Sequence, residues 1–122
     1  MNIDKRLKLK SIMQHFGITE QLKKLQEELG ELSVEAGRLV DVLEKSSPRA
    51  DGKMILDKNN IGIIAFDEKF LSEMADVEVM IGQIKALAED ISDKVEGVAQ
   101  YKIERTLMAY KIPITRKYYD DF

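Results

Sequence analysis

The 122-residue chain contains no cysteine and only one histidine, His15. The absence of cysteine excludes disulfides, thiolate zinc sites and cysteine nucleophiles, and a single histidine excludes a multi-histidine metal site. We expect His15 to be a local capping or packing residue. Any metal site in this chain must therefore be built from oxygen ligands.

Long apolar runs and an excess of positive charge are also missing. No stretch approaches the roughly 18 apolar residues of a membrane span. The charged beginning of the chain lacks the apolar segment of a secretory signal. The net charge of −3 gives no basic stripe for a nucleic-acid polymer. We therefore expect a cytoplasmic protein that binds neither membrane nor nucleic-acid polymer. A small phosphate ligand remains open, because a bound cation can supply positive charge.

The first part of the chain has the pattern of a helical hairpin. Its apolar residues recur at alternating spacings of three and four, as on one face of a helix: Leu22, Leu25, Leu29, Leu32, Ala36, Leu39 and Leu43. We predict that this helix begins at an N-cap, Thr19, and reaches about residue 44. A shorter helix over residues 3–16 precedes it and stops near Gly17, because glycine suits the C-terminal position of a helix.

The connection over residues 46–66 is dense in turn-forming residues, which end the helical pattern. It also holds two short apolar runs, at residues 54–56 and 61–66. These runs could pair as a small β-hairpin around residues 57–60. We therefore expect a long connection that includes a small hairpin.

The second half of the chain predicts two more helices. One follows an N-cap at Asp67 and reaches about Glu89, and the last begins near Ser92 and is broken by Pro113. Together with the N-terminal hairpin they predict an all-α, four-helix-bundle-like unit. We assign residues 1–122 to a single domain, which is the usual content of a chain of this length.

Two short acidic motifs carry the chemistry. They are Glu27-Glu28-Leu29-Gly30-Glu31 on the first long helix and Glu73-Met74-Ala75-Asp76 on the second. Carboxylates three residues apart lie on nearly the same helix face, so each helix can offer two of them to one ion. A helical wheel places Glu73 inside the apolar arc and Asp76 at its edge. Because an inward acid is costly without compensation, a hard divalent cation is the natural partner.

Two alternatives stay open on the residues alone. Acids on a Glu-rich helix usually form a solvated face, and a chain with 22 acidic residues will show such spacings by chance. An inward acid can also pair with a buried base, here Lys102 or Arg105.

The ordered motifs resemble those of the MazG-like all-alpha NTP pyrophosphohydrolases. The pattern Glu27-Glu28-x-x-Glu31 followed by Glu73-x-x-Asp76 is similar to the EExxE…ExxD signature of that family. Four neighbouring sequence segments also resemble segments of compact family members and occur in the same order. They are His15-Phe16-Gly17, Gln21-Leu22, Ala75-Asp76-Val77 and Lys102-Ile103-Glu104-Arg105. One departure is the segment between Glu31 and Glu73, which is longer than the family usually has.

The resemblance implies a helical bundle whose active site is completed by pairing protomers into a homodimer or tetramer. It implies Mg²⁺, or alternatively Mn²⁺, held by Glu28, Glu31, Glu73 and Asp76. Glu27 would serve a second ion or orient water. The implied reaction is hydrolysis of a (d)NTP to a monophosphate and pyrophosphate, with metal assistance to the displacement.

Lys102 and Arg105, three residues apart on the last helix, would then contact the outer phosphates. Ordinary solvated charges are the equal alternative on spacing alone. Two other functions stay open: a non-catalytic helical protein that dimerises through its apolar stripes, and a related pyrophosphohydrolase acting on phosphoribosyl-ATP.

Overall fold

A computed structural model describes residues 1–46, 49–50, 53–54 and 56–114 of the chain. Its helices and strands, in chain order, are α1 (Ile3–Phe16), α2 (Ile18–Ser46), β1 (Arg49–Ala50), β2 (Lys53–Met54), α3 (Lys58–Ala65), α4 (Glu68–Lys85) and α5 (Glu89–Ala109). The predicted all-α class is confirmed. Within these ranges no helix is both long enough and apolar enough to cross a bilayer.

The junction of α1 and α2 consists of one residue, Gly17. Its φ is 90°, a backbone conformation in which a residue with a side chain would be strained. Its N–H donates to the carbonyl of Met13 at 2.8 Å. The end of α1 at Gly17 is therefore confirmed. The predicted N-cap at Thr19 is wrong, because Thr19 lies inside α2 and the carbonyl of Gly17 accepts from the N–H of Gln21. His15 packs locally, with its ring edge-on to Phe16.

The connection differs from the predicted hairpin. Residues 61–65 belong to helix α3 and so do not form the second strand of the predicted hairpin. Asp57 and Asn60, expected in a turn, instead form a reciprocal N-terminal cap: each side chain accepts from the other's backbone N–H, at 3.0 and 3.1 Å. The two short strands β1 and β2 pair antiparallel with each other. Residue 55 and part of the 46–54 segment lie outside the described residues.

The boundary between α4 and α5 lies a few residues earlier in the chain than the sequence pattern indicated. The predicted N-cap of α4 is confirmed, because Asp67 Oδ1 accepts from the N–H of Phe70 at 3.0 Å. However, α4 ends at Lys85, and α5 begins at Glu89 rather than near Ser92. Helix α5 ends at Ala109, before Pro113.

The protein core lies where α1 and α2 pack on α4, and the α2–α4 contact is the most extensive. Arg38 lies opposite Asp67, while Glu31 lies opposite Glu73. Along α4 from its N-cap the residue numbers rise from 67 to 73, while those of the facing residues on α2 fall from 38 to 31. The two helices therefore run antiparallel. The buried apolar residues are Leu9, Met13, Leu39, Val77, Met80 and Ala86.

Helix α5 is the exception to this packing. It contacts α4, but no residue of α5 is buried, and only Ile91, Ser92 and Leu107 are even partly covered. The fourth helix of the predicted bundle therefore exists, but it does not bury an apolar face within its own protomer.

Candidate metal site

Helix α2 brings one acid into the protein interior. Covered positions of α2 recur at helical spacing and form its packed face, which includes Gln21, Leu25, Glu28, Leu32 and Leu39. Glu28 occupies this face with only 5% of its surface exposed. Glu31, three residues further, lies beside the packed face and is exposed. Their common helix directs both carboxylates toward the same side.

Helix α4 supplies the opposing acid. Glu73 is partly buried on the side of α4 that also carries the buried Val77 and Met80. The inward direction predicted for Glu73 is thus confirmed. Asp76 is exposed, as a residue at the edge of the arc should be.

The antiparallel packing brings three carboxylates together. One oxygen each from Glu28, Glu31 and Glu73 lies within 4.8 Å of the others. Three carboxylates at this separation repel one another, and the repulsion is strongest where water is excluded. We call this group the acid cluster.

Two oxygens of the acid cluster are buried and have no hydrogen-bond partner among the residues that the structure describes. They are Glu28 Oε2 and Glu73 Oε2. A buried acceptor without a partner loses its hydration and gains nothing in exchange, so such atoms are uncommon in folded proteins. Both therefore have the property expected of an atom that awaits a ligand.

The electrostatic environments of Glu28 and Glu73 differ. A hydrogen bond from Lys24, opposed by burial, holds the pKa of Glu28 below its usual value. Burial, followed by the charge of Glu31, raises the pKa of Glu73 above its usual value. Among the described residues Glu73 forms no ion pair with a base, so a cation between the carboxylates would supply the compensating positive charge.

The other acidic residues of the two motifs lie around this cluster. Asp76 is close enough to influence both Glu28 and Glu73, although it is not among the three carboxylates that converge. Glu27 is exposed and lies 3.6 Å from the ammonium of Lys24. Asp76 and Glu27 therefore lie beside the three converging carboxylates and are not members of the acid cluster.

Lys102 and Arg105 are not brought to the acid cluster within one protomer. Both are exposed on α5, and the guanidinium of Arg105 lies 5.8 Å from the ring centre of Tyr101. In the described part of the chain neither forms an ion pair with Glu73. The alternative of a buried base neutralising Glu73 is therefore wrong for the isolated protomer.

Sequence reasoning missed one residue of the site, Lys24. Its ammonium lies 3.0 Å from Glu28 Oε1. The sequence does contain a signal for this ion pair, because a lysine four residues before a glutamate lies next to it across one helical turn. It was hidden by the many lysines and glutamates of α2.

The donor set fits a hard divalent cation. It offers only carboxylate oxygens, the ligands that Mg²⁺ and Mn²⁺ accept, and none of the nitrogen or sulfur donors that zinc sites use. The two unpartnered oxygens give such an ion something to neutralise.

Comparison of the chain with models of known protein families, with curated proteins and with solved structures gives no match.

Proposed function

We propose that the protein is a Mg²⁺-dependent nucleoside triphosphate pyrophosphohydrolase. The observation that carries the proposal is the convergence of Glu28, Glu31 and Glu73, with two buried oxygens that lack a partner. The motif resemblance to the MazG-like family names the reaction, and the acid cluster occupies the positions that the motif identifies.

The proposed role of each acidic residue follows from how far its side chain is exposed to solvent. Glu28, Glu31 and Glu73 would hold Mg²⁺, or alternatively Mn²⁺, with Asp76 beside them. When bound, the ion would neutralise phosphate oxygens and favour attack by water on the α–β phosphoanhydride. Glu27, which is exposed beside Lys24, would orient water or serve a second ion. The protein otherwise contributes positioning.

We further propose that the working unit is a homodimer or a pair of dimers. Val95, Val98, Lys102 and Arg105 follow one another on α5 at spacings of three, four and three, which places them on one face. In the protomer this face is exposed, and 53% of the surface of Val98 is accessible. If α5 packs on a second copy, its two bases gain a route to the partner's acid cluster. This would make them phosphate ligands.

A panel of nucleoside and deoxynucleoside triphosphates with Mg²⁺ tests the reaction directly. Scoring both products is essential, because α–β cleavage releases pyrophosphate and one equivalent of monophosphate. Orthophosphate as the sole direct product would contradict the proposal. Phosphoribosyl-ATP belongs in the same panel, since the acid cluster recognises a metal and phosphates rather than a base.

A non-catalytic dimerising protein is the rival function. The exposed apolar face of α5 suits either function, but the unpartnered oxygens of the acid cluster favour the enzyme. The rival is supported if no member of the panel is hydrolysed and Mg²⁺ does not bind.

A further inference from the structure

The acid cluster already holds one positive charge, the ammonium of Lys24. Its Nζ lies 3.0 Å from Glu28 Oε1, a buried carboxylate, and 3.6 Å from Glu27 Oε2. About half of the Lys24 side chain is exposed. The ammonium thus compensates Glu28 while keeping a direct path to solvent.

The same carboxylate is a corner of the acid cluster. Lys24 binds Oε1 of Glu28, whereas Oε2 is buried without a partner. A divalent cation seated among Glu28, Glu31 and Glu73 would lie within a few ångströms of the ammonium, where two cations repel. Because the ammonium can be hydrated outside and the carboxylate cannot, the lysine is the group that can leave.

We propose that Lys24 is the resident counter-ion of Glu28 and that a divalent cation displaces it on binding. This inference rests on the proposed metal site and adds an exchange step to its loading. Without metal, the ion pair stabilises the buried carboxylate. With metal, the ion takes over that task and Lys24 is released to solvent.

A neighbouring ion pair provides the matched control. Lys23 lies 3.4 Å from Glu20, and both side chains are 64% exposed. Neither residue belongs to the acid cluster. Lys23→Met therefore makes the same change of charge and shape as Lys24→Met, one residue away, without touching Glu28.

The exchange predicts that Lys24→Met destabilises the full-length protein without metal but not with metal bound. In EDTA the variant should melt about 4 °C below wild type, because Glu28 loses its counter-ion. In saturating Mg²⁺ the two proteins should melt together, because Lys24 is already released. Calorimetric titration with Mn²⁺, without nucleotide, should show binding about fivefold tighter in the variant.

Lys23→Met should change the Mn²⁺ affinity by less than about twofold, through screened charge alone. Equal tightening by both variants, or a deficit in melting temperature that persists in saturating Mg²⁺, would overturn the exchange and leave Lys24 a structural residue. Absence of Mn²⁺ binding to wild type would instead refute the proposed metal site, and the exchange with it. Lys24→Arg, which keeps the charge, should behave as wild type in EDTA.

Discussion

Arg38 on α2 donates from Nη2 to Asp67 Oδ1 at 2.6 Å, and the same oxygen accepts from the N–H of Phe70 at the start of α4. Asp67 therefore caps one helix while it binds the other. Glu35 also binds this guanidinium, with its Oε2 2.6 Å from Nε. The contact of Arg38 with Asp67 joins α2 to the start of α4, in the same antiparallel pairing that sets Glu31 opposite Glu73.

We expect Asp67→Ala to lower both stability and metal affinity. The variant loses the helix cap and the tie to Arg38, so its melting temperature should fall by about 4 °C or more. Looser register should also weaken Mn²⁺ binding, although Asp67 is not in the acid cluster. Glu68→Ala, at the exposed first position of α4, is the control and should change neither property by a comparable amount.

The contribution of Asp67 should depend on pH. The hydrogen bond from Arg38, followed by that from the N–H of Phe70, holds the pKa of Asp67 below its ordinary value of 3.8. The ionised form therefore favours the folded state. Its contribution is complete above the ordinary value and is lost as the pH falls through the lowered one. The gap in melting temperature between wild type and Asp67→Ala should be constant above about pH 5 and should narrow as the pH falls below 3.8. An unchanged gap would contradict this assignment.

Glu73→Gln should separate stability from activity. Removing one of three crowded carboxylates relieves repulsion, so we expect the variant to melt no lower than wild type in EDTA. Under the proposed function it should nevertheless lose Mg²⁺-dependent turnover, because one of the proposed metal ligands is gone. Glu78→Gln makes the same change at an exposed position of α4 and should retain turnover. Wild-type activity of Glu73→Gln across a Mg²⁺ titration would show that the site is elsewhere.

Mg²⁺ should raise the melting temperature of the wild-type protein. An ion that binds only the folded state stabilises it by about 2.7 kcal/mol when its concentration is 100 times its dissociation constant. Glu28→Gln should lose this shift, since Glu28 supplies a buried oxygen of the acid cluster. Differential scanning fluorimetry over a Mg²⁺ series measures both proteins. A shift that survives in Glu28→Gln would assign the binding to other acids.

Local signals were enough to predict the end of α1, the start of α4 and the inward direction of Glu73. Gly17 and Asp67 were identified because a positive φ and an N-cap each select few residue types. The inward placement of Glu73 followed from its angular position among apolar neighbours on one helix.

The sequence-based predictions failed where one residue type is common in two kinds of local structure. They also failed where a residue's contact depends on another chain or on the choice among several nearby side chains. Asp57 and Asn60 are typical of turns and of helix caps alike, so α3 was read as part of a hairpin. The apolar positions of α5, such as Val98, indicate that a face is covered but not by which chain. The ion pair of Lys24 with Glu28 depends on a rotamer choice among several acids in reach.

Gly37→Ala should stabilise the protein by roughly 0.5–1 kcal/mol. Gly37 is exposed in the middle of α2, and a Cβ built there meets no atom within 4 Å. Chemical denaturation measures the gain. Gly82→Ala is the informative comparison, because its Cβ would lie 3.0 Å from Leu9 Cδ1 where α1 approaches α4. It should be less stable than Gly37→Ala, and the opposite order would contradict the close packing of α1.

The last prediction concerns assembly through α5. A helix of 21 residues with no buried residue is rarely stable alone in water, so its apolar face needs a cover. A second copy is the simplest cover, because twofold pairing buries the same face twice. The face also carries Lys102 and Arg105, which suits it to a partner with exposed acids.

Val98→Glu should therefore convert the proposed assembly to monomers and strongly reduce the proposed turnover, since a charge on the apolar face opposes burial. Gln100→Glu introduces the same charge two residues away, about 200° around the helix, and should leave assembly intact. Sedimentation equilibrium at micromolar concentration distinguishes an assembly from a 14.0 kDa monomer. If wild type sediments as an active monomer, the proposed dimer is refuted. The proposal that Lys102 and Arg105 of one protomer contact phosphate at the partner's acid cluster is refuted with it. If Val98→Glu still dimerises, the interface lies on another helix face, of which the exposed apolar side of α2 is the next to test.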